Sequence, residues 1–108
     1  MLLIEKKDVF AKEVLNSSVP VIVDFFAEWC GPCRQMMPIF EEVDKNNDKI
    51  KVVKINIDGD GDSADIASDY GVQSLPTFIV VKDGKEAERK MGAMNKSKVL
   101  AWVEKLVG

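Results

Sequence analysis

Val19-Pro20-Val21-Ile22-Val23-Asp24-Phe25-Phe26-Ala27-Glu28-Trp29-Cys30-Gly31-Pro32-Cys33 is the stretch that decides the fold. Val19 to Ala27 is almost continuously apolar and rich in β-branched residues, the pattern of a strand covered on both faces. Pro20 stands at its start, where a missing N–H is tolerated. A helix is predicted from about Cys33 to Asn47, with Pro38 inside it as an expected kink. The two cysteines therefore lie where a buried strand meets a helix N-terminus. Unpaired N–H groups and the helix dipole stabilise negative charge there. A cysteine so placed holds its thiolate more readily than a free one, and the thiolate is the species that attacks a disulfide.

Working outward, the pattern alternates strand and helix. Residues 1–5 read as a short strand. Residues 7–17 read as a helix with Phe10, Val14 and Leu15 on one face and Asp8 as its cap. Ile50 to Ile57 is the next strand, and strand–helix–strand in this order implies a right-handed crossover and parallel pairing. Residues 63–70 form a short helix ending near Gly71. Thr77 to Val81 and Lys85 to Met91 flank Asp83-Gly84, a two-residue hairpin signal. Val99, Val103, Leu106 and Val107 mark an amphipathic helix over 95–107. The order is βαβαβαββα: an α/β chain with a central mixed sheet of five strands and helices on both faces.

Composition narrows the chemistry. The 108 residues are 46% hydrophobic, which suits one domain with a real core. The balance of 15 basic and 18 acidic residues leaves a net charge of −3 and no strong steering field. No basic run or basic–aromatic cluster points to nucleic acid. No apolar run is long enough to span a membrane, and Met1-Leu2-Leu3-Ile4 is too short for a signal-peptide core. The cytoplasm is the expected compartment. Two cysteines and no histidine leave too few ligands for a zinc or iron–sulfur site and no base for a cysteine hydrolase. No metal and no cofactor is expected.

Redox chemistry remains for Cys30-Gly31-Pro32-Cys33. Two intervening residues place both sulfurs on one helical turn. Cys30 is the expected nucleophile, and Cys33 the group that resolves the mixed disulfide. Pro32 fits the first helical turn, where its missing donor costs little, and stiffens it. Asp24 interrupts the apolar strand just before the pair. Burial disfavours its charged form and raises its pKa, which suits a proton carrier for Cys33 near neutral pH. The plainer alternative is a carboxylate that only packs, or pairs with Lys54 on the neighbouring strand.

Val23 to Cys33 resembles the active-site segment of thioredoxins. The likeness extends to Lys54-Ile55-Asn56-Ile57-Asp58, Tyr70-Gly71-Val72, Leu75-Pro76-Thr77-Phe78, Asp83-Gly84 and Gly92, over essentially the whole chain and in the family's order. The resemblance implies a thioredoxin-like fold and a general protein-disulfide reductase. It implies an acidic residue with a role at Asp24 and a cis-proline at Pro76 lying against the cysteines; Lys54 is a candidate supporting charge, the alternative being a solvated strand lysine. It further implies that the backbone of Leu75 pairs with an extended substrate segment. Trp29, Gly31, Pro32, Leu75, Pro76, Met91, Gly92 and Ala93 would then form an apolar docking surface. The partners implied are oxidised proteins and a thioredoxin reductase, usually a flavoprotein drawing on NADPH; a monomer is expected.

The chain departs from the family in places. Phe26 stands where many thioredoxins carry tryptophan, and Arg34 replaces a common lysine. The loop Asp58-Gly59-Asp60-Gly61-Asp62-Ser63 is longer and more acidic than usual. Its carboxylates, with Asp69, fall near calcium-loop spacing, but Ser63 replaces the glycine such a loop needs, and a solvated acidic turn is the better reading. Two other functions share the fold: an oxidase or isomerase, and a docking module without turnover. The Gly-Pro dipeptide favours the reductant, because oxidising relatives tend to carry histidine between their cysteines.

Overall fold

The computed structural model describes residues 1–108. β2, Val21–Phe26, is the middle of the molecule, and all six of its residues are buried. β3 (Lys51–Asn56) pairs with it in parallel, and β4 (Thr77–Lys82) pairs antiparallel on its other side. β1 (Leu2–Leu3) lies parallel beyond β3, and β5 (Lys85–Met91) antiparallel beyond β4. The sheet order is β1-β3-β2-β4-β5, the mixed five-stranded arrangement expected from the sequence.

Alternation along β2 feeds two cores. Val21, Val23 and Phe25 face one side, under Phe10 and Val14 of the N-terminal helical segment and Ile66 and Ala67 of α3 (Ser63–Asp69). Ile22 faces the other, under α2 (Gly31–Asn46) and α4 (Lys96–Val107). Cys33, Met36, Phe40 and Val43 form the buried stripe of α2. Phe40 stacks on Phe78 of β4 at 4.7 Å between ring centres, and Trp102 of α4 meets Phe78 edge-on. These contacts fix α2 against the sheet, and with it the first turn that carries the cysteines. The helix runs unbroken through Pro38.

Some boundaries differ from the sequence reading. The 7–17 helix is α-helical only over Lys7–Phe10 (α1) and continues as a π-helical stretch, Ala11–Leu15. There the N–H of Asn16 donates to the carbonyl of Ala11. Apolar spacing alone does not separate the two forms, because both bury Phe10 and Val14. Asp8 does not cap this helix; Asp62 does, accepting from the N–H of Lys7 at 2.8 Å. The N–H of Asp62 in turn donates to the Glu5 carbonyl. The acidic loop is thus fastened to the start of α1. At the hairpin, Asp83 and Gly84 both have positive φ (53° and 78°), as a primed two-residue turn requires.

Candidate active site

Cys30 is the N-cap of α2. Its backbone is extended, and its sulfur accepts the N–H of Cys33 at 3.3 Å. The position that the sequence marks as anion-stabilising therefore offers the sulfur a donor directly. Cys30 and Cys33 are joined by a disulfide, with Cα atoms 5.3 Å apart, inside the ordinary range for such bonds. Both sulfurs are in a small apolar cluster with Phe26 and Ala27, against which Met37, Ile57 and Leu75 pack. Pro32 occupies the first turn and is exposed, as is Trp29 just ahead of the pair.

The second wall of the site comes from the other half of the chain. The Leu75–Pro76 peptide is cis. The Pro76 carbonyl accepts the N–H of Gly92 at 2.9 Å, and Thr77 pairs with Met91 across the β4–β5 ladder. Leu75, Pro76, Met91, Gly92 and Ala93 are thereby held at the same end of the sheet as one another. Gly92 has φ +91°, a conformation that side-chain-bearing residues rarely adopt, and a Cβ there would meet open space. Its demand is conformational, and its consequence is an unobstructed surface. Met91 and Trp29 are among the few large apolar side chains left exposed, at 66% and 70%.

Asp24 is fully buried, and neither carboxylate oxygen has a hydrogen-bond partner. Burial lifts its pKa from 3.8 to about 7, with the charge of Lys54 opposing the rise. Lys54 is its register partner on β3, so the two side chains leave the same face of the sheet. Yet the Lys54 ammonium sits 4.0 Å from Glu41 of α2, and it makes no bond to Asp24. The two groups that the sequence offers as a pair are adjacent but unpaired. A groove of about 640 Å³ has Phe26, Pro38, Glu41 and Lys54 in its wall. It opens solvent to the residues that flank Asp24 along and across the strands.

Two participants escaped the sequence reading. Glu41 is one. Asp58 is the other: its carboxylate accepts the indole N–H of Trp29 at 2.7 Å. The calcium-like spacing of the acidic loop distracts from this role. With Asp58 turned to Trp29 and Asp62 to the Lys7 N–H, these carboxylates serve separate structural contacts. No cluster of three metal-ligating side chains forms anywhere in the chain.

The comparisons with known proteins agree with this geometry. The Thioredoxin family model matches residues 1–105. The thioredoxin of Rickettsia felis is 44% identical over 99 residues, covering 91% of each chain. The chloroplastic M-type thioredoxin of Chlamydomonas reinhardtii is 48% identical over 99 residues, 91% of this chain and 69% of that one. Among solved structures, Plasmodium falciparum thioredoxin superposes with a TM-score of 0.86 at 32% identity, covering 97% of this chain and 98% of its own. The Malassezia sympodialis thioredoxin gives 0.86 at 30% identity, covering 100% and 91%.

Proposed function

Because this chain belongs to the thioredoxin family and is a dithiol–disulfide reductase built on Cys30 and Cys33, we propose the following division of labour among its residues. The Cys30 thiolate attacks a substrate disulfide, forming a mixed disulfide and releasing one substrate thiolate. Cys33 gives up its proton and attacks the Cys30 sulfur. The second substrate sulfur leaves, and the pair closes to the disulfide state. The substrate gains two electrons from the chain; counted from the Cys30 thiolate, the chain loses one proton, that of Cys33, and the second proton taken up by the released thiolates comes from solvent. The observation that carries this order is the N-cap placement of Cys30, whose sulfur alone receives a helix N–H.

Asp24 takes the proton from Cys33. Its burial, its lack of any partner and a pKa of about 7 support that role, and the groove beside Lys54 and Phe26 supports exchange of the proton with solvent. Lys54 moderates the carboxylate as a nearby positive charge. Trp29, Gly31, Pro32, Leu75, Pro76, Met91, Gly92 and Ala93 form the docking face, and the Leu75 backbone receives an extended substrate segment. The whole chain works as one domain and as a monomer, moving electrons in the cytoplasm from a thioredoxin reductase, a flavoprotein fed by NADPH, to oxidised proteins. No helix is long and apolar enough to cross a membrane.

Catalytic amounts of the chain should accelerate insulin reduction by dithiothreitol, and Cys30→Ser should abolish the acceleration. A docking module without turnover would leave the rate at the uncatalysed level. Asp58 tests the docking face separately. Asp58→Ala removes the acceptor of the Trp29 indole. The KM for a protein disulfide should rise about 2–5-fold, the low end of the net worth of a single hydrogen bond, because this one is exposed to water, with kcat unchanged. Asp58→Asn keeps an acceptor oxygen and should restore most of the loss.

A further inference from the structure

Met91 ends β5 and is the one methionine left open to solvent. It is 66% exposed, Met36 only 2%, and Met1, Met37 and Met94 are half-buried. Its place is not incidental. Met91 pairs with Thr77, the residue after Pro76, and the next N–H along the chain, from Gly92, is held by the Pro76 carbonyl. The backbone of Met91 is thereby held next to the Leu75–Pro76 segment, and its side chain is exposed. A thioether is apolar and soft, a good contact for varied apolar partners, and it is also the side chain most easily made polar by oxidation.

We propose that Met91 is an oxidation site at which a hydroperoxide weakens docking of protein disulfides; this rests on the docking face proposed above. The sulfur attacks the distal oxygen of hydrogen peroxide and the O–O bond breaks. One oxygen ends on sulfur as the sulfoxide, and the other leaves as water after proton transfer within the peroxide. The sulfur loses two electrons and the peroxide gains them; no other reactant is consumed. In the disulfide state neither cysteine is a free thiolate, so the competing sulfurs are already protected. The sulfoxide oxygen is a strong acceptor in the middle of an apolar contact. Covering it with a substrate that offers no donor costs free energy that the thioether does not. The exposed position keeps the fold out of the reaction: the core methionine, Met36, is on the buried stripe of α2.

The test uses the full chain in its disulfide form, treated with hydrogen peroxide, cleared of the oxidant and mapped by peptide mass spectrometry. Added oxygen should appear on Met91 well before Met36. The treated protein should then show a KM for insulin raised by ~3–10-fold, the effect of desolvating one polar group at a partly wet interface. Its rate with a small aromatic disulfide, which does not need the face, should be unchanged. Met91→Leu, compared with itself before and after peroxide, should lose the response. Oxidation of Met91 no faster than Met36, or an unmoved KM after Met91 is oxidised, overturns the proposal. Met91→Gln separates the two readings. If this polar variant raises the KM but peroxide does not act at Met91, only the oxidation site is wrong. If Met91→Gln leaves the KM unmoved, Met91 is not part of the docking face, and the proposal falls with that assignment.

Discussion

Cys33→Ser, reduced and mixed with an oxidised protein, should accumulate a covalent complex through Cys30 and lose essentially all turnover. The expectation follows from the division between the two sulfurs. Cys30, 6% exposed, accepts a helix N–H and lies in the chain between the exposed Trp29 and Pro32. Cys33 is 1% exposed within the stripe that packs α2 on the sheet. A substrate sulfur is expected to reach the first in preference to the second. Serine at 33 leaves the nucleophile intact and removes the group that expels the product, so the mixed disulfide persists. Non-reducing electrophoresis and mass mapping of the linked peptides check it. A complex trapped through Cys33 in Cys30→Ser would reverse the assignment.

Asp24→Asn should slow resolution of the mixed disulfide on the order of 100-fold near pH 7, the low end of the range for a positioned general base, since Cys33 can still lose its proton to water. In the parent, that step should accelerate as pH rises through about 7, because only the ionised carboxylate accepts a proton. The variant should lose this inflection. Stability should move the other way. Asp24 is protonated in both states below its unfolded value of 3.8, and its contribution there is most favourable. Between 3.8 and about 7 the unfolded chain ionises while the folded one keeps its proton, so stability falls with rising pH and levels off above about 7. The full swing is on the order of 4 kcal/mol. Asp24→Asn removes it, so denaturation midpoints at pH 8 should rise in the variant and approach the parent at pH 4. A flat pH profile in the parent would mean that Asp24 does not ionise in the working range.

Much of this was legible in the chain itself, for identifiable reasons. The unbroken apolar run of β2 announces a strand covered on both sides, and Asp24 is conspicuous because it interrupts that run. Asp83-Gly84 specifies its turn through backbone sterics alone. Cys30 and Cys33 are decided by spacing and by the helix that begins between them. What the sequence leaves hidden is side-chain pairing between distant segments. Lys54 and Asp24 are adjacent on neighbouring strands, but the ammonium lies 4.0 Å from Glu41 on α2 and makes no bond to Asp24. Asp62 caps α1 from 55 positions away, while the nearby Asp8, the obvious candidate, instead accepts from the N–H of Val9. Asp58 reaches Trp29 across 29 positions, a contact with no local signature.

The most direct test of the account is the pH dependence of alkylation in the fully reduced chain, read separately at the two cysteines by mass spectrometry. Cys30 should react rapidly down to mildly acidic pH, its titration lying well below the ~8.5 of a free thiol, while Cys33 stays slow. Equal, peptide-like rates at both sulfurs, titrating together as free thiols do, would contradict it.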